Sequence, residues 1–176
     1  MLESIEDIYK LRCGQISDIH EHLPVLKEYA SKCESIVELG VREMVSTWAL
    51  LAGRPKRMLA VDIVYPKEFD VKEVEELCKK ENIGFEFLEA SSLEIEIPKC
   101  DLLFIDTIHT YEQLSKELKR HGDKVNKFII LHDTTSCKEE LEPAIMEFIH
   151  NKINFKWAIH EVYTNNNGLT ILKKYE

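Results

Sequence analysis

The chain has 176 residues, 44% of them hydrophobic and 31% charged, with a formal net charge of −9. That length carries one domain with a real core, and the acidity disfavours nucleic acid, whose binders carry basic patches. Cys13, Cys33, Cys78, Cys100 and Cys137 are scattered, odd in number and without CxxC spacing, which argues against a zinc site or a disulfide framework and for a reducing, cytoplasmic compartment.

The opening MLESIEDIYK is too acidic and too weakly apolar for a signal peptide. No apolar run approaches membrane-spanning length. Residues 1–12 predict a short helix with Leu2, Ile5, Ile8 and Tyr9 on one face. A second helix follows within SDIHEHLPVLKEYASKC, residues 17–33, with Pro24 in its first turn. Its apolar side is Leu23, Leu26, Tyr29, Ala30 and Cys33. The cluster Asp18, His20, Glu21 and His22 reads as a solvated turn and helix cap, with a gate or a metal site as the alternative. Ser35–Leu39 is the first strand. Gly40 follows it, and then a helix carrying Val45, Trp48, Ala49 and Ala52. Glycine permits a tight strand-to-helix turn and close ligand approach, and the helix start can face an anionic or polar group. Met58–Ile63 is the second strand. Asp62 lies about twenty residues past Gly40, the spacing at which a carboxylate grips the hydroxyls of an adenosine ribose; a turn cap is the alternative. Asp70–Asn82 is an amphipathic helix, with Gly84 as its stop signal. Phe85–Leu88 is the third strand, followed by Ala90, Ser91 and Ser92.

Residues 101–135 then read as strand, helix, strand. Leu102–Ile105 and Phe128–Leu131 are near-continuous apolar runs, as buried parallel strands are. The helix between them shows Tyr111, Leu114 and Leu118 on one face, and Thr110 and Gln113 have capping-box spacing. Its charges (Lys116, Lys119, Arg120, Lys124 and Lys127 alternating with Glu112, Glu117 and Asp123) read as a solvated face. Asp106, His109, His132 and Asp133 fall at or just past the strands' carboxyl ends, the edge where open α/β sheets bind ligands. Neighbouring strands lie roughly 5 Å apart, so two carboxylates and an imidazole can converge on a divalent cation. His109, with an ordinary pKa near ~6.5, is placed to act as a general base. Each group alone reads as a cap or a structural residue; four on two adjacent strand ends point to a site. Pro143 marks the start of a helix through His150, with Ile145, Phe148 and Ile149 facing the core. Phe155–Tyr163 is a sixth strand. The turn TNNNG, residues 164–168, leads into Leu169–Leu172, a seventh strand returning as an antiparallel hairpin.

The alternation of strands and helices gives a doubly wound α/β sheet. With its terminal hairpin, the chain resembles the class I S-adenosylmethionine-dependent methyltransferases. Glu38-Leu39-Gly40, with Ser46, is similar to the first cofactor motif in its E-x-G-x-x-x-G-x-S/T variant. Asp62 matches the ribose-binding acid, and Ser91 and Ser92 match the loop that flanks the adenine. FIDTIHTY and LHDTT resemble the FIDGDHTY and FHD segments of the small methyltransferases grouped with macrocin O-methyltransferase and cephalosporin hydroxylase-like proteins. SDIHEHLP and TNNNGLTIL are similar to segments of one branch of that group. The resemblance covers roughly residues 17–172.

It implies a Rossmann-like seven-stranded sheet in the order 3-2-1-4-5-7-6. It also implies one methyltransferase domain over residues 1–176, with a helical cap to residue 33 and the core from residue 34. S-adenosylmethionine would lie against Glu38, Gly40, Ser46, Asp62, Ser91, Ser92 and Asp106. Magnesium or manganese would lie on Asp106, His132 and Asp133, and His109 would be the base. The acceptor would be a hydroxyl of a sugar or other small polyol. Little room is left for an inserted substrate lid, so acceptor recognition is expected to fall either to the first 22 residues or to a second subunit in a homodimer.

Three positions depart from the pattern. Met44 stands in place of the motif's second glycine and is expected to narrow the cofactor loop. His132 replaces an acid, and imidazole suits transition metals better than magnesium. Ala90 replaces an acid near the adenine. A metal-dependent hydrolase or hydroxylase and a non-catalytic cofactor-binding scaffold are the alternatives. A nicotinamide dehydrogenase is disfavoured, because the G-x-G-x-x-G fingerprint is missing.

Overall fold

The computed structural model describes residues 4–151 and 156–175. Its strands are β1 (Ser35–Leu39), β2 (Arg57–Asp62), β3 (Gly84–Glu89), β4 (Cys100–Ile105), β5 (Val125–His132), β6 (Trp157–Tyr163) and β7 (Leu169–Lys174). Its α-helices are α1 (Ile5–Cys13), α2 (Leu23–Ala30), α3 (Val45–Ala52), α4 (Val71–Lys80), α5 (Tyr111–His121) and α6 (Lys138–His150). The strands form one sheet, β3-β2-β1-β4-β5-β7-β6. Neighbours from β3 through β5 run parallel, while β7 is antiparallel to both β5 and β6. This is the expected order.

Alternation along the central strands divides the apolar side chains between two cores. Ile36, Leu102, Phe104, Phe128, Ile130 and Ile171 meet α1 to α4 on one face. Val37, Leu39, Leu103, Ile105, Ile129 and Leu131 meet α5 and α6 on the other. Helices cover both faces, so β1 is buried along its whole length. The register sets Ile105 of β4 level with Leu131 of β5. Asp106 and His132 therefore leave the sheet side by side.

Several local expectations are corrected. Helix α6 begins at Lys138, and Pro143 lies inside it; Pro143 is exposed, so its missing N–H falls on the solvent side, where it is tolerated. Asn82, with φ 60°, supplies the left-handed residue that ends α4, and Gly84 opens β3 instead. Thr110 caps α5 by accepting from the Gln113 N–H, but the Gln113 side chain turns to Ser92 and Glu117, so the capping box is only half made. Tyr111 is exposed and donates to Glu147 instead of entering the core. Glu117, expected on a solvated face, is fully buried. The expected strand start at Phe155 and the apolar Leu2 lie outside the described residues.

Candidate active site

A cavity of about 540 Å³ opens at the carboxyl ends of β1 to β4. Gly40, Ser46, Asp62, Ser91, Ser92, Asp106, His109 and Asp133 line it. Glu38 and His132, also expected at the site, lie beneath its wall.

The loop after β1 is held by backbone geometry. Gly40 has φ +87°, and a Cβ there would sit 2.0 Å from the Asp106 carbonyl oxygen. Only glycine lets β1 turn so close under the end of β4. Asp62 Oδ2 accepts from the Val41 and Arg42 N–H groups at 2.7 and 2.8 Å, and Oδ1 accepts from Val64 N–H at 3.0 Å. The carboxylate is therefore the anchor of the glycine loop as well as part of the cavity wall.

Met44 keeps the left-handed backbone that a glycine would favour, with φ 62°. Its side chain is wholly buried in the core below and does not line the cavity, so the expected narrowing does not occur.

Glu38 does not line the cavity and supports the start of α3 from below. It is fully buried, and the hydroxyls of Ser46 and Thr47 bond its two carboxyl oxygens. Burial, reinforced by the charges of Asp106 and Asp62 and opposed by those hydroxyls, pushes its pKa up to about 8.

At the other end of the cavity, Asp106, His109, His132 and Asp133 converge as their strand-end positions imply. His109 Nε2 is 3.1 Å from Asp106 Oδ1 and 3.0 Å from Asp133 Oδ2. His132 Nδ1 is 3.4 Å from Asp106 Oδ1 and 3.0 Å from Asp133 Oδ2. His132 is 2% exposed, and its Nδ1 makes no aligned hydrogen bond. Its Nε2 faces the Asn166 carbonyl at 3.3 Å. A carbonyl only accepts, so Nε2 carries a proton and Nδ1 is the nitrogen turned to the carboxylates.

Burial works against ionisation here, but the opposite charges overcome it. His109 and His132 hold Asp106 well below the usual carboxylate range. Against its own burial, His132 is raised to about 10 by Asp106 and Asp133. The bond to Asp106 raises His109. The two carboxylates thus favour positive charge at both imidazoles, and a divalent cation would meet the same demand.

Asp106, His132 and Asp133 each place a ligand atom within 4.8 Å of the others. His109, Asp133 and Cys137 do the same. A buried nitrogen turned to two carboxylate oxygens without an aligned hydrogen bond, its other nitrogen bonded to a carbonyl, matches the donor arrangement of a metal-binding histidine. The residues fit a divalent cation.

Other groups at the site were misread or missed in the sequence. His22, expected in a solvated turn, is 1% exposed; its Nε2 bonds the Asn165 carbonyl at 3.0 Å and its ring lies 5.9 Å from that of His132. Asp18 pairs with Arg42 on the glycine loop. Glu117 accepts from Ser92, Thr107 and Gln113, tying the Ser91–Ser92 loop to α5. The spacing of Gln113 and Glu117, one helical turn apart, was the available signal. It was masked by the surrounding lysines.

No family model matches the chain, and no curated protein matches it. Solved structures do. A Podospora anserina methyltransferase bound to SAH superposes with a TM-score of 0.67 at 13% identity, over 100% of this chain and 89% of its own. A Geobacter sulfurreducens methyltransferase gives 0.68 at 13% identity, over 98% and 86%. A provisional caffeoyl-CoA O-methyltransferase of Staphylococcus aureus gives 0.65 at 14%, over 98% and 93%. Among the described residues, no helix is long and apolar enough to cross a membrane. The fold of this chain is the Rossmann-like α/β fold of those methyltransferases.

Proposed function

We propose that the protein is an S-adenosylmethionine-dependent O-methyltransferase assisted by a divalent cation, acting on a hydroxyl of a sugar or other small polyol. The observation that carries this reading is the continuity of one cavity. Its wall runs from Gly40, Asp62, Ser91 and Ser92 to Asp106, His109 and Asp133.

S-adenosylmethionine would supply the electrophilic methyl group, and a divalent cation the positive charge that lowers an acceptor hydroxyl's pKa. The glycine loop, anchored by Asp62, and the serines after β3 would bind the adenosyl portion. Asp106, Asp133 and His132 Nδ1 would hold the cation, with a nitrogen donor that favours manganese over magnesium. His109 would receive the acceptor's proton. Beside a dication its raised proton affinity falls, leaving a neutral base. The chain's remaining task is alignment, because methyl transfer is an in-line displacement.

The test is calorimetric titration of S-adenosylmethionine into the untagged chain, first with EDTA and then with manganese or magnesium. A screen for methyl transfer to polyols follows. Saturable cofactor binding, and turnover restored by manganese after chelation, are expected. Absence of cofactor binding under every condition overturns the reading.

A further inference from the structure

Segment Ser17–His22 is fastened to two separate loops. Toward the glycine loop, Asp18 is ion-paired with Arg42, and Asp18 and Ile19 line the cavity. Toward the β6–β7 turn, the Asn166 side chain donates to the Ser17 carbonyl at 3.0 Å and accepts from the Glu21 N–H at 2.9 Å. Asn165 accepts from His22 through its carbonyl and donates to the Glu21 carboxylate through its side chain.

The same turn holds the acid–imidazole cluster from behind. The Asn166 carbonyl faces His132 Nε2 at 3.3 Å and so decides which ring nitrogen meets the carboxylates. The Asn167 carbonyl accepts from the Thr135 and Ser136 N–H groups at 2.9 and 3.0 Å, clamping the loop that leaves Asp133. Gly168 has φ +95°, and a Cβ there would sit 2.4 Å from the Thr135 N and Oγ1. No other residue lets the turn lie so close. Asn166 and Asn167 have φ 44° and 71°. Asparagine is the side-chain-bearing residue that most readily takes this left-handed backbone.

We propose that the Asn165–Asn167 turn is the positioning element of the cluster, with Asn166 joining His132 to the Ser17–His22 segment. Its backbone carbonyl orients the buried imidazole. Its side chain couples that orientation to the segment on the cavity wall. The acceptor end of the cavity and the hold on a cation are thereby one mechanical unit. This inference rests on the cation site of the proposed function and not on methyl transfer.

Two substitutions separate the two roles of Asn166. Asn166→Gly keeps the left-handed backbone and removes the side-chain tethers. Asn166→Ala removes the tethers and also strains the backbone that presents the carbonyl. Manganese affinity is measured by calorimetry on the chelator-stripped, untagged full chain, and S-adenosylmethionine affinity on the same samples in EDTA. Circular dichroism confirms that each variant is folded. Loss of an outer-sphere partner of a metal-binding histidine typically weakens the metal roughly 10–100-fold. Asn166→Ala is expected in that range and Asn166→Gly between it and the wild type, with cofactor affinity constant. Equal manganese affinity in all three folded proteins overturns the proposal, whatever the cofactor does. If the cofactor fails to bind while manganese affinity follows the expected order, the methyltransferase reading falls and the positioning role stands. If the wild type takes no manganese, the cation reading falls, and the positioning role is read from exchange of the His132 Nε2–H proton by NMR. Faster exchange in Asn166→Ala supports it, and identical exchange in the three proteins overturns it.

Discussion

At the β1–β2 end of the cavity, supporting bonds span short stretches of chain. Ser46 and Thr47 are eight and nine residues from Glu38, and the N–H groups held by Asp62 are 20 and 21 residues from it. At the β4–β5 end they span long ones. The Asn166 carbonyl is 34 residues from His132, and Asn165 is 143 residues from His22. The first end is built by one strand-turn-helix unit and the next strand tip. The second exists only after the terminal hairpin and the N-terminal segment have docked. Damage to the first end should therefore appear in stability, and damage to the second in chemistry.

Gly40→Ala is the harshest test of that contrast. The added methyl meets backbone, which cannot swing aside, on top of the ~1–2 kcal/mol that a left-handed backbone costs an ordinary residue. A large drop in the urea midpoint and loss of cofactor binding are expected. A stable variant with normal cofactor affinity would show that the loop is less constrained than its geometry.

At the other end, His109→Ala is expected to lower turnover by about 10²–10⁴-fold, the usual contribution of a general base. Cofactor affinity and the urea midpoint should change little. His109 is half-buried at the cavity wall, so its removal leaves the core intact. Steady-state kinetics beside a denaturation curve decide the matter. Unchanged turnover would remove His109 from the mechanism.

A smaller effect tests the support under the glycine loop. Burial pushes the Glu38 pKa up to about 8 in the folded protein from its ordinary 4.5. Between those values the folded state keeps a proton that the unfolded state has lost. Stability from this group therefore falls as pH rises through the window, by about 1.4 kcal/mol per pH unit. Glu38→Gln removes the slope. Relative to the wild type, the variant should gain stability steadily from pH 5 to pH 8 in urea titrations. Parallel curves would mean that Glu38 is ionised throughout.

Residue patterning carried the sheet order through the family resemblance, and the strand-end rule carried Asp106, His109, His132 and Asp133. Periodicity failed where one residue served two purposes. Glu117 occupies a helix face rich in charge, yet it is buried because Ser92, Thr107 and Gln113 satisfy its oxygens. Met44 looks like a damaged glycine motif. The chain instead keeps the backbone turn and uses the side chain as core. The cluster His20–His22 looks solvated in one dimension, and only the docked turn at Asn165 shows why His22 is buried.

By itself the sequence determined that β4 and β5 are buried on both faces, that strands and helices alternate and which polar groups stand at the strand tips. These follow from local sterics and from the two-residue and 3.6-residue periods of burial. Tertiary structure alone decided that Asp62 anchors a loop, that Glu38 lies below the cavity, and that one asparagine turn joins His132 to the N-terminal segment. The reason is that a hydrogen bond between distant segments leaves no period in the chain. Its two partners are chosen by the packing of the sheet between them.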